Sequence, residues 1–240
     1  MKRLTNAVIL LLGLSIAIMT SCTKDPNNGG NNGSGNNGNS YNGHEYVDLG
    51  LPSGTLWATC NVGATTPEGY GDYFAWGETT PKSVYNWDTY QYSNGGYTYI
   101  DEFRPYFTKY CNKSEYGYNG YTDTLTILQA GDDAATANWG TGWRMPTINQ
   151  YVEMSNNTRK TWTTQNGVNG LLYTASNGQS LFFPAAGTAN SSYGSTGHYW
   201  LSTLRFPREA EAIDFYIDDY GILGLSRYRG CPVRPVRSTN

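Results

Sequence analysis

Charge is scarce in this chain: only 15% of its 240 residues are Asp, Glu, Lys or Arg, and they sum to a net charge of −3 with a pI near 5.4. Proteins that hold nucleic acid by neutralising phosphates carry a basic footprint, so that class is excluded, and a polybasic membrane-surface protein goes with it. Histidine is nearly absent, with His44 and His198 the two examples, and the four cysteines are not clustered. A zinc site of ordinary ligand spacing is therefore not expected, nor is any other cofactor. Enzyme signatures are missing too: no G-x-S-x-G, no H-E-x-x-H, no P-loop and no dinucleotide-binding strand, glycine turn and helix occurs. The carboxylate pairs Asp132-Asp133 and Asp218-Asp219 carry no spacing that would define a glycosidase cleft, and Asp132 reads more simply as a helix cap. His198, in Thr196-Gly197-His198-Tyr199-Trp200, reads as a structural turn histidine. Long apolar runs are missing as well, apart from residues 7–19, which fall short of the roughly 20 residues a transmembrane helix needs.

What the chain has in abundance is aromatic and turn chemistry, with 21 Tyr, 7 Trp, 7 Phe and 29 Gly. Short β-branched and aromatic runs bounded by Gly, Pro and Asn predict strands at Glu45–Leu49, Thr55–Val62, Asp72–Gly77, Leu171–Ala175, Ser180–Pro184, Ala212–Ile217 and Val233–Val236. Asn177-Gly178 predicts a hairpin turn, since both residues tolerate positive φ. Helical signals are few. Thr147 with Gln150 three residues later forms a capping-box pattern leading into Ile148–Asn156, and a second short helix is expected after Asp132 through Ala134, Ala135 and Ala137. The class is α+β, a mixed or antiparallel sheet with one or two helices and long irregular loops. Residues 85–121 hold ten tyrosines, a composition that suits either an adaptable recognition loop or a self-packed surface loop; the length favours self-packing.

Three segments divide the chain. Met1-Lys2-Arg3, the apolar run and Met19-Thr20-Ser21-Cys22 read as a signal peptide over residues 1–21. The MTSC tail resembles a bacterial lipobox, which implies cleavage before Cys22 and lipidation (palmitate included) of that cysteine. Residues 22–43 form the anchor and a linker; 14 of its last 21 residues are Asn or Gly, which cannot bury enough surface to offset chain entropy. Its random-coil reach is on the order of 25 Å. Residues 44–240 make one domain. Lys24-Asp25 resembles the export signal of Bacteroidetes-type lipoproteins, which implies the outer membrane and its exterior face.

Three separated blocks carry a wider resemblance: EYVDLGLPSGTLWATCNVGATTPEGYGDYFAWGE at residues 45–78, DDAATANWGTGWRMPT at 132–147, and the stretch from LFFPAAG through GHYWLST to RGCPVRPVR at 181–237. Their order and wording resemble the major paralogous domain named from Fibrobacter and abundant in surface lipoproteins of gut Bacteroidetes. That domain is similar to the C-type-lectin-like fold of formylglycine-generating enzymes and of retroelement-diversified variable proteins. The resemblance implies that the first and last strands lie side by side, bringing Thr55–Val62 near Val233–Val236. It also implies a disulfide between Cys60 and Cys231, with Cys60 to Cys111 the rival pairing. The cysteine arrangement of formylglycine-generating enzymes is not present, so no catalysis is carried over. The calcium-binding triplets of C-type lectins are absent as well. Locally, Trp143 reads as core, Arg144 as a donor to backbone carbonyls or a carboxylate, and Pro146 as a strand stop.

The uneven distribution of charge points to a binding face. Residues 161–204 contain no charged side chain, whereas residues 205–237 contain eleven of the chain's 35. Diversified lectin-like proteins vary their ligand face between fixed flanks in this C-terminal region. The candidate ligand-binding residues are accordingly Leu201, Arg205, Phe206, Arg208, Glu209, Glu211, Asp214, Tyr216, Asp218, Tyr220, Arg227 and Arg229. The expectation is a non-catalytic cell-surface lipoprotein for adhesion or recognition of a protein or glycan ligand. A structural subunit of a surface appendage and an enzyme of unassigned reaction are the alternatives.

Overall fold

A computed structural model of the chain describes residues 39–99, 102–189 and 191–239. The signal peptide, Cys22 and most of the linker lie outside the described residues. The fold is α+β and mostly antiparallel sheet, with two α-helices among the described residues. Strands β1 (Ser40–Tyr41), β2 (His44–Val47), β3 (Leu56–Ala58) and β12 (Val236–Arg237) form one sheet in the order β1-β2-β3-β12. Trp57 stands opposite Val236, and the Val62 N–H donates to the Val233 carbonyl at 3.0 Å, so the two ends of the domain are laced together. A two-stranded hairpin, β4 (Ser93–Tyr99) and β5 (Glu102–Phe107), arises from the Tyr-rich stretch. Strands β6 (Thr158–Gln165), β7 (Val168–Ala175) and β8 (Ser180–Pro184) form a third sheet. Strands β9 (Thr196–Phe206), β10 (Glu209–Tyr216) and β11 (Asp219–Ser226) form the fourth, in the order β11-β10-β9.

The β9–β10 hairpin is the spine, because it has core on both faces. Trp200, Leu204, Ala210 and Ala212 belong to one cluster with Trp76, Phe107, Tyr110 and Trp143. Tyr199, Leu201, Ile213 and Phe215 belong to a second with Trp57, Tyr173, Met154 and Phe183. A strand buried on both faces loses the alternation of polar and apolar residues, which is why the uncharged run 161–204 leads straight into it. Packing is close enough at Gly197 that a Cβ there would lie 2.0 Å from the Phe215 ring.

Helix α2 (Ile148–Asn156) starts where the capping box puts it, with both reciprocal bonds between Thr147 and Gln150 present. Helix α1 (Ala134–Trp139) corrects the expected cap: Asp133, not Asp132, accepts from the N–H groups of Ala135 and Thr136. Asp132 instead accepts from Tyr92 Oη at 2.7 Å, Tyr110 Oη at 2.5 Å and Lys109 Nζ at 2.6 Å. The predicted strand Asp72–Gly77 is an irregular segment whose ladder pairing is the single Phe74–Cys231 bridge, with further backbone bonds from the Asp72 N–H to the Val62 carbonyl and from the Trp76 N–H to the Arg227 carbonyl. The predicted strands Thr55–Val62 and Val233–Val236 shrink to β3 and β12, while their expected proximity stands. At Asn177-Gly178 the hairpin forms, with Gly178 alone at positive φ (84°), and the loop holds three residues between Ala175 and Gln179.

The expected Cys60–Cys231 disulfide is absent, because Cys111 and Cys231 are free, buried thiols. The register explains it. Pairing of Trp57 with Val236 and of Val62 with Val233 sets Cys60 across from residues 234–235, leaving Cys231 three to four residues further along. At about 3.3 Å per residue that offset exceeds the roughly 7 Å a disulfide can span. The same observation removes the rival pairing of Cys60 with Cys111; Cys60 is disulfide-bonded, with its partner outside the described residues.

Arg227 and Arg234 are fully buried, and neither touches a carboxylate among the described residues. Arg227 donates to Tyr90 Oη (2.9 Å) and to the carbonyls of Tyr110 (3.1 Å), Pro207 (2.8 Å) and Lys109 (3.0 Å). Its guanidinium carbon lies 4.6 Å from the Phe107 ring centroid and 5.1 Å from that of Trp76. Arg234 donates to Asn61 Oδ1 and to the carbonyls of Ala58 and Thr59, 4.7 Å over the Phe183 ring. Burial lowers its pKa to about 10. Backbone carbonyls and aromatic faces thus solvate both charges, which staples distant segments together. The Tyr-rich stretch is held this way: Tyr90, Tyr92 and Tyr110 are core, as self-packing requires.

Candidate functional site

The twelve residues proposed for ligand contact do not form one face. Leu201 is fully buried in the second core cluster, and Arg227 is the buried clamp just described, so both are corrected to scaffold. Charge in the sequence announced a binding residue at Arg227, whereas four aromatic rings from residues 76–110 enclose it. Arg229 is exposed beyond the end of β11. The remaining nine gather at the two ends of β10, whose eight residues separate those ends by about 23 Å.

At the β9–β10 turn, Phe206 is 55% exposed and Arg205 lies across it, the guanidinium carbon 5.9 Å from the ring. Arg205 Nη1 is 3.4 Å from Glu211 Oε2. Phe206, Pro207, Arg208 and Glu209 line a shallow cavity of about 120 Å³ with Lys113 and Tyr116. From beneath, Arg227 holds the turn through the Pro207 carbonyl.

At the other end, the β10–β11 turn exposes Tyr216, Ile217 and Tyr220 at 42%, 62% and 47% beside Asp218. Asp219 organises this tip: its carboxylate accepts from Tyr216 Oη at 3.0 Å and from the Tyr220 N–H at 2.8 Å. Lys160 Nζ, from β6, sits 5.0 Å over the Tyr220 ring.

Next to this tip, His198 corrects another expectation, since it lies within β9 rather than in a turn. Its Nδ1 is 2.9 Å from Asp214 Oδ1, and its Nε2 is 3.4 Å from Thr196 Oγ1. Burial lowers the His198 pKa against the pull of Asp214, and burial raises that of Asp214. A hydroxyl, imidazole and carboxylate in a row is the order used for nucleophilic catalysis. The sheet accounts for it without a reaction: Thr196 and His198 are i and i+2 on one strand, and Asp214 is the residue directly opposite His198.

A third location carried no sequence signal. A groove of about 480 Å³ lies where the two ends of the domain meet, lined among others by Tyr41, Ile127, Trp143, Met145, Ser202 and Arg237. The Arg237 guanidinium is 4.1 Å from the Tyr41 ring and 5.2 Å from that of Tyr46. Residues 41, 127 and 237 come together only through the fold, so no local motif could announce the groove. Arg144 donates to the side-chain amide oxygen Oε1 of Gln150 at 2.6 Å rather than to a backbone carbonyl or a carboxylate. Among the described residues, no group of three or more His, Cys, Asp or Glu is arranged to hold a metal, and no helix is long and apolar enough to cross a membrane. No protein-family model, curated protein or solved structure matches the chain.

Proposed function

We propose that this chain is a non-catalytic recognition protein of the outer cell surface: a C-type-lectin-like domain on a flexible tether, held to the outer membrane through lipid on Cys22. The observation that carries this reading is the β10–β11 tip. Three large side chains, Tyr216, Ile217 and Tyr220, stand in solvent beside Asp218 on a turn whose flanking strands are rooted in the core by Ile213 and Phe215. Aromatic side chains on a rigid support are the residue type that carries binding energy at interfaces, because they lose little rotamer freedom on contact. The ligand class is a protein or glycan, engaged by stacking and by hydrogen bonds to Asp218 and the tyrosine hydroxyls.

Screening the purified chain against glycan and surface-protein arrays, beside a Tyr216→Ala/Tyr220→Ala variant, tests the reading. Binding lost in the variant supports it; binding that survives both substitutions moves the site elsewhere. The anchor has its own test. A thioether on Cys22 and a disulfide from Cys22 to Cys60 are mutually exclusive uses of one sulfur. Mass spectrometry of the mature chain that finds diacylglyceryl on Cys22 supports the anchor, and a Cys22–Cys60 cross-link overturns it.

A further inference from the structure

The β11-β10-β9 sheet has one covered edge and one bare edge. On the β9 side, the N–H groups of Trp200, Ser202 and Leu204 donate outward to the carbonyls of Pro232, Pro146 and Thr126 at 3.2, 2.8 and 2.8 Å. On the β11 side, the phase of the ladder follows from one bond. The Arg227 N–H donates to the Arg208 carbonyl at 3.0 Å, and in an antiparallel ladder such bonds join directly opposed residues at every second position. Residues 219, 221, 223 and 225 therefore face β10, while Tyr220, Ile222, Gly224 and Ser226 turn their N–H and C=O groups outward. The outer two positions are partly capped, Tyr220 N–H by Asp219 Oδ1 and the Ser226 carbonyl by the Arg229 N–H. Between them, no described residue bonds the backbone of Ile222 or Gly224. Nor does the strand carry the Lys or Pro that usually blunts an edge: residues 220–226 read YGILGLS.

We propose that a second copy of this chain docks on this edge, β11 running antiparallel to β11 of the partner about a twofold axis at Leu223. In that register Ile222 and Gly224 of opposite copies exchange N–H···O bonds, four in all by symmetry. Each glycine then meets a branched side chain, Gly224 opposite Ile222 and Gly221 opposite Leu225, and the two Leu223 side chains meet at the axis. Charge selects the antiparallel arrangement. On the Ile222 face, Lys160 sits at the Tyr220 end with no carboxylate partner among the described residues. At the other end the Arg205 side chain and the Glu209 carboxylate both lie over Gly224, 2.5 and 2.6 Å from where a Cβ would be, and Arg205 pairs with Glu211, so two carboxylates to one guanidinium leave that end net negative. Antiparallel docking brings each Lys160 toward the net-negative end of the partner, whereas parallel docking sets the two Lys160 side chains beside each other. The chain's own segment 23–38 is a poor occupant, since it is mostly Asn and Gly and offers no Val, Ile or Leu.

The test is sedimentation velocity with amide exchange on the full chain carrying Cys22→Ala, so that lipid contributes nothing to association. A concentration-dependent dimer whose Ile222 and Gly224 amides are protected only when concentrated supports the proposal. A monomer at every soluble concentration overturns it, as does a dimer in which those amides exchange as fast as in dilute solution. Leu223→Lys sets two ammonium groups at the axis and abolishes the dimer. Because that side chain is half-buried, a charge exchange provides the second reading. Lys160→Glu weakens association about tenfold, and adding Glu209→Lys restores it. An unchanged dimer in Lys160→Glu, or no restoration in the double variant, counts against the register.

Discussion

The two turns that close β10 are built on opposite plans. The Phe206–Glu209 turn is tied down from inside, because the buried Arg227 guanidinium holds the Pro207 carbonyl while also gripping the Tyr-rich stretch through Tyr90, Lys109 and Tyr110. The Tyr216–Tyr220 turn is held by its own Asp219 and by a lysine lying over a ring. A turn wired into the core is costly to vary, since each change reaches several segments. A turn organised by one exposed carboxylate can change its side chains without touching the core, as the proposed recognition role requires.

The sharpest way to break the contrast is Arg227→Met. It removes a donor from three buried carbonyls and a cation from an aromatic cage, and stability measured by urea unfolding falls by about 3–5 kcal/mol. Tyr110 and Phe107 also become more accessible in exchange experiments. Next in size is Gly197→Ala, whose new methyl would sit against the Phe215 ring shared by both ends of the spine. Overpacking of this kind costs about 1–3 kcal/mol, read as a lowered unfolding midpoint. A smaller, pH-dependent effect belongs to the pair beside the exposed turn. His198 binds its proton less readily folded than unfolded, so as pH falls below its ordinary value of 6.5 the unfolded state gains protons first and stability declines. Asp214 acts oppositely in the window above 3.8, because burial makes the folded state the better proton binder there. Replacing His198 by Gln flattens the decline between pH 7.5 and 5 in denaturant titrations. The smallest effect is local: Asp219→Asn loosens the exposed turn and, by removing the carboxylate that accepts its proton, lowers the Tyr216 phenol toward its ordinary pKa, seen by ultraviolet titration. The same substitution leaves the Phe206 turn untouched, and a shift there would erase the distinction between the two ends.

The sequence spoke most clearly where one short segment decides its own structure. Thr147 and Gln150 cap their own helix, and the turn at Gly178 needs only its positive φ. Short-range patterning failed where distant segments decide. Asp132 looked like a cap until two tyrosines and a lysine from residues 92–110 claimed its carboxylate, and capping passed to Asp133. Arg227 and Leu201 looked like surface variation because residue type reports chemistry, not depth. The contrast in charge between residues 161–204 and 205–237 was real, but it marks a strand buried on both faces followed by a hairpin with two exposed ends, not a single continuous face.

β1, β2, β3 and β12 draw both ends of the domain into one sheet, with Arg237 resting on the Tyr41 ring. A pull arriving through the linker therefore enters beside the strand where the domain closes, and its load passes first to short ladders of two paired residues each. Force applied between residue 39 and the β10–β11 tip opens this clasp before it disturbs the β9–β10 spine, because ladders of two pairs give way before longer ones.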